Sequence, residues 1–100
     1  MMARYVVLLN FTEKGMSGLK ESLTRAESFH ETAAKMGSKV IDMYWTLGIY
    51  DGVLILEAPD EATASALVIE FGKGNDVKSC MLRAFDADEF KAIVGKVPEP

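Results

Sequence analysis

The sequence predicts an α+β domain: a four-stranded antiparallel sheet with two helices on one face, and a short helix closing the chain. Three observations carry this. Two β-rich runs, Val40 to Leu47 and Val53 to Glu57, are joined by a short glycine-containing link and read as a hairpin. A helix-length stretch with its own stop or start signals lies on each side of that hairpin. Two further apolar, β-branched runs, Arg4 to Phe11 and Val77 to Phe85, stand near the chain ends and complete a sheet.

In chain order, Arg4 to Phe11 is short and mostly apolar, as in a strand buried on both faces. After the polar link Thr12-Glu13-Lys14-Gly15, a first helix is predicted over Ser17 to Met36. Ser17 serves as its N-cap, and Gly37 as the left-handed residue after its end. Its apolar stripe reads Leu19, Leu23, Ala26 and Ala33, with His30 falling inside that stripe. Val40 to Leu47 alternates: Ile41, Met43, Trp45 and Leu47 fall on the apolar side, and Val40, Asp42, Tyr44 and Thr46 on the other. Pro59-Asp60 ends the third strand and opens a second helix over Glu61 to Lys73, capped by Asp60. In the last strand Cys80, Leu82 and Ala84 are assigned to the helix-packed side, and Ser79, Met81, Arg83 and Phe85 to the other. Asp86 caps a final helix, Ala87 to Val94, stopped by Gly95. The order βαββαβ is the ferredoxin-like plan. Its uncovered sheet face, read as Val40, Tyr44, Val53, Ile55 and Met81, is too apolar to leave wet, so a homodimer packed sheet to sheet is expected.

The bulk properties bound the function. One hundred residues make a single domain spanning 1–100, with a modest core that a dimer would supplement. The net charge is −4 and no Lys/Arg cluster occurs, which argues against nucleic acid and anionic membranes as partners. No apolar run approaches the roughly 18–20 residues of a membrane span. A single cysteine excludes an internal disulfide and fits a reducing cytoplasm; the N-terminus reads as a first strand rather than a signal peptide.

Six residues are the candidates for a ligand site. Asn10, at the end of the first strand, is the polar residue most expected inside a cavity. His30 is the one histidine, a side chain suited to act as acid, base or ligand. Trp45 needs a partner for its indole N–H. Arg25 lies one helical turn from Phe29. Tyr50 and Asp51 sit on a turn free to present them at a pocket mouth. Cys80 reads as a buried small hydrophobe. No metal site is expected, since one His and one Cys fall short of a ligand set, and nothing in the chain calls for a cofactor.

The segment Tyr44-Trp45-Thr46-Leu47-Gly48-Ile49-Tyr50-Asp51 resembles the signature of the GYD-domain family. Arg25-Ala26-Glu27-Ser28-Phe29, Lys39-Val40, Glu57-Ala58-Pro59-Asp60 and Leu82-Arg83-Ala84-Phe85 are similar to that family too, in the same order. The resemblance implies the dimeric α/β-barrel group and delivers no mechanism. Three functions follow as expectations. The first is a small-molecule-binding or accessory protein with an apolar pocket between sheet and helices. The second is a cofactor-independent oxygenase or isomerase for a small hydrophobic or phenolic metabolite. The third is a structural dimer that binds a protein partner.

Overall fold

A computed structural model describes residues 2–100. Strand β1 (Ala3–Phe11) is followed by a one-turn helix α1 (Glu13–Ser17), a 3-10 turn (Leu19–Glu21) and helix α2 (Ser22–Lys35). Then come strands β2 (Lys39–Trp45) and β3 (Gly52–Ala58), helix α3 (Glu61–Gly72), strand β4 (Val77–Ala84) and helix α4 (Ala87–Val94). The sheet order is β2-β3-β1-β4 and every pairing is antiparallel, so the chain has the ferredoxin-like arrangement that its element order predicts.

The core lies between one sheet face and helices α2 and α3. Tyr5, Val7 and Leu9 of β1 and Leu54, Leu56 and Ala58 of β3 meet Phe29 and Ala33 of α2 and Ala64 and Leu67 of α3. Phe29 and Phe71 lock the two helices edge to face, with ring centroids 4.8 Å apart. The helix ends follow their sequence signals. Gly37 takes φ +66°; its N–H reaches the Ala34 carbonyl at 3.1 Å and that of Ser38 reaches Ala33 at 2.9 Å, which closes α2 in a Schellman turn. Asp60 accepts the Thr63 backbone N–H at 2.7 Å, and this bond to the charged form holds its carboxyl below the ordinary carboxylate range. Asp86 and Glu89 form a complete capping box on α4.

Three expectations are corrected. The first helix is broken at Gly18, and Thr12 rather than Ser17 caps the chain's first helical turn. That turn is tied to the loop before β4: Thr12 donates its N–H to Asp76 and its hydroxyl to Asn75, and Lys14 reaches the Gly74 carbonyl. The break resets the phase of α2. Its buried stripe is Ser22, Ala26, Phe29 and Ala33, while Leu19, Leu23 and His30 are exposed.

In β2, a bulge between Val40 and Asp42 puts Val40 into the core instead of on the uncovered face; Met43 and Trp45 keep the helix side, and Asp42 and Tyr44 the other. In β4 the two faces are exchanged. The register with β1 sets Met81 beside Val7 and Arg83 beside Tyr5 on the helix side, leaving Cys80, Leu82 and Ala84 on the open face. Both sides of β4 are apolar at their centre, so alternation alone has no preferred sense there. Arg83 accordingly makes no open-face ion pair. Its guanidinium lies 4.4 Å from the Phe85 ring centroid and 5.6 Å from that of Tyr5, donates to the Arg4 and Ala84 carbonyls, and comes within 3.7 Å of Glu89.

Candidate functional site

The hairpin link between β2 and β3 is held by four hydrogen bonds. Asp51 clamps it to the end of β1: its N–H donates to the Leu9 carbonyl at 2.8 Å, and its carboxylate Oδ2 accepts the Phe11 N–H at 2.8 Å. Across the link, the Thr46 N–H donates to the Asp51 carbonyl at 2.8 Å and the Thr46 hydroxyl to the Tyr50 carbonyl at 2.6 Å. Gly48 takes φ +134°, a backbone state that side chains oppose. Between these anchors Leu47 and Ile49 point into solvent, 103% and 86% exposed. Tyr44 and Trp45, each about half exposed at the base, extend the same apolar tip. Two bulky aliphatic side chains held out by a braced turn cost hydration free energy that a covering surface would recover.

Behind the tip, β1, β2, α2 and α3 enclose a small cavity of about 30 Å³, room for one or two waters. Leu9, Met43, Trp45, Phe71 and Val77 give it apolar walls; Arg25, Ser22 and Asp51 supply its polar atoms. Arg25 stands 4.0 Å from the Asp76 carboxylate. Three of the six sequence candidates, Arg25, Trp45 and Asp51, therefore meet at one place. Tyr50 lies in the adjoining turn and contributes its carbonyl to the Thr46 bond.

His30 lies elsewhere. It is exposed on α2 and edges an open depression beside β2, with Leu23, Glu27, Ile41 and Asp42. Trp45 separates that depression from the cavity, since it lines both. Asn10 is on the sheet face away from the helices, opposite Lys78, and not in the cavity. Cys80 is a free, exposed thiol on the same face. Among the described residues no three His, Cys, Asp or Glu side chains converge in a way that would hold a metal ion, and no helix is long and apolar enough to cross a membrane.

Leu47 and Ile49 are the residues that sequence reasoning missed. Alternation extended β2 to Leu47 and so turned that side chain towards the core, but the strand ends at Trp45. The available signal was Gly48 between two aliphatic residues: a glycine turn leaves its neighbours without a strand face.

The family model described as the GYD domain matches residues 5–94. The chain belongs to the GYD-domain family. A Thermus thermophilus protein called glutamine synthetase and cystathionine beta-lyase binding protein is 29% identical over 84 residues, which are 83% of this chain and 88% of that one. Among solved structures, the crystal structure of MtbAldR superposes with a TM-score of 0.60 at 19% identity over 84% of this chain. An AsnC family transcriptional regulator from Agrobacterium tumefaciens superposes with a TM-score of 0.49 at 19% identity over 83% of this chain. The GYD chain spans about half the length of each of these two chains, 52% and 51%, and the likeness to MtbAldR is one of fold.

Proposed function

We propose that this GYD protein is a binding or accessory module, which pairs with a second copy through its open sheet face and holds a protein partner on the tip of its Gly48 turn. The observation that carries the reading is the braced turn itself. Four hydrogen bonds at 2.6–2.8 Å fix a segment whose two most prominent side chains, Leu47 and Ile49, stand out in solvent. Rigid apolar tips of this kind bind well because little conformational entropy is lost when they are covered. The cavity directly behind the tip, about 30 Å³, is far below the roughly 300 Å³ at which small-molecule sites begin, so that place encloses nothing larger than water.

Pairing through the sheet is supported by composition and register. Val6, Leu8, Val53, Ile55 and Leu82 are mutual cross-strand neighbours at the centre of the open face, while Arg4, Glu57, Lys39, Asp42 and Lys78 lie around them. An apolar centre with a charged rim is the anatomy of a protein interface. The exposed thiol of Cys80 supports a reducing cytoplasm as the setting.

The name of the Thermus relative supplies the partners to try first, the glutamine synthetase and cystathionine β-lyase of this protein's own host. Each enzyme would be immobilised and titrated with the wild-type protein and with the double variant Leu47→Ser, Ile49→Ser. The expected result is saturable binding to at least one enzyme, weakened about tenfold or more in the variant, as for a central apolar anchor. Binding that the double variant leaves unchanged would remove the tip from the site, and no binding to either enzyme would overturn the partner assignment.

A further inference from the structure

Helix α4 has no place in the monomer's core. Among the described residues, none from 87 to 100 is buried, and the long axis of the molecule is 54 Å against 32 and 18 Å for the other two. The radius of gyration is 15.3 Å, where a compact chain of this length has about 13 Å. Yet α4 is fully formed, with a complete capping box at its start and backbone bonds from Gly95, Lys96 and Val97 that carry it another turn past its end. Phe90, Ile93, Val94 and Val97 recur at helical spacing and are all exposed. An isolated helix shorter than about 12 residues is marginal in water, so this one is expected to rest its apolar stripe on something.

The surface next to it is the open sheet face. A groove of about 520 Å³ has Arg4, Glu57 and Ala84 of that face along one side and Asp86, Asp88 and Glu89 at the start of α4 along the other. Helix and sheet thus border one concavity. Four strands about 4.8 Å apart and some seven residues long give the sheet face a footprint of about 450 Å². A standard interface takes about 800 Å² from each partner, so sheet against sheet alone falls short. Adding a helical arm about 16 Å long and 10 Å wide enlarges the footprint by about a third, to about 600 Å², which brings it closer to that size. The acidic side of the groove also faces a demand for cations, and the rim of the open face carries them in Lys39 and Lys78.

We infer that α4 is a dimer arm: its Phe90–Val94–Val97 stripe packs on a second copy of this chain, extending the sheet-to-sheet interface. The inference rests on the sheet-face pairing proposed above and extends its contact area along α4. The groove between α4 and the sheet end is then filled by the other copy.

Sedimentation velocity on the full chain over a concentration series tests this with two variants. Phe90→Asp with Val94→Asp charges the arm; Leu8→Asp charges the centre of the open face. The wild type is expected to be dimeric, the Leu8 variant monomeric, and the arm variant at least about tenfold weaker in association with unchanged circular dichroism, since no α4 residue belongs to the core cluster. An arm variant that dimerises as tightly as wild type overturns the arm while leaving the sheet pairing intact. A wild type that stays monomeric throughout the series overturns both. Hydrogen exchange gives a second readout in the unaltered protein: α4 amides protected in the dimer and released on dilution support the arm, and amides equally fast in both refute it.

Discussion

Asp51 shows how one residue can serve both fold and site. Its N–H and carboxylate make two bonds to β1, and its carbonyl takes a third from Thr46, so the turn is held from three directions. Removing the carboxylate in Asp51→Ala leaves the half-buried Phe11 N–H without a partner. The expected loss is about 1–3 kcal/mol in urea unfolding, with Asp51→Asn recovering part because an amide oxygen still accepts. Equal midpoints for the alanine variant and wild type would show that the turn holds without this clamp. The same residue also marks how far a site can be read from sequence. Asp51, Arg25 and Trp45 converge because each sits near the same end of the sheet, a placement that the strand order implies. His30 and Asn10 do not converge with them, because their positions depend on helix phase and on which sheet face a parity selects. Those two quantities are decided by tertiary packing rather than by residue type.

At the scale of elements, the boundaries set by local caps were legible, whereas the start of the first helix, the end of β2 and the phases of α2 and β4 were not. Gly37, Asp60 and Asp86 end or begin helices by local chemistry that depends on little beyond the neighbouring residues. Helix α1, by contrast, is a single turn held by the Asn75–Asp76 loop sixty residues away, and a local reading has no access to that contact. Gly15 seals it: a side chain there would run into the Asp76 carbonyl. Because α1 and the 3-10 turn absorb residues 13–21, α2 begins afresh at Ser22, and its stripe turns from Leu23 and His30 to Ser22 and Phe29. The consequence is measurable. Phe29, 4% exposed and edge to face with Phe71, should cost about 3–5 kcal/mol on replacement by alanine. Leu23, 62% exposed, should cost within about 0.5 kcal/mol on the same change. Chemical denaturation of the two variants separates the phases directly, and a larger loss at Leu23 would mean that α2 packs in the register its sequence stripe first suggests.

The whole molecule is two layers thick, 18 Å across its short axis, with helices over one sheet face only. The other face sets Val6, Leu8, Val53, Ile55 and Leu82 in register with one another, and the chain's length makes that exposure costly. A domain near one hundred residues has little stability to spare from its own core. If folding and pairing are coupled, the unfolding midpoint must rise with protein concentration, each tenfold increase adding about 1.4 kcal/mol per mole of dimer to the apparent stability. Thermal unfolding over a hundredfold concentration range is therefore expected to show a steadily rising midpoint. The response to salt separates the two parts of the interface. Charge contacts that the rim would make across the proposed interface weaken as ionic strength screens them, as does the Arg4–Glu57 pair within one chain, while burial of the apolar centre is strengthened by sulfate. Because the centre holds the area and the rim is exposed, the dimer should survive molar sodium chloride and tighten in ammonium sulfate. A midpoint independent of concentration in every buffer would mean that the domain folds alone, its open face wet and α4 free. Dissociation by sodium chloride would instead move the binding energy to the rim and take the five apolar side chains out of the interface.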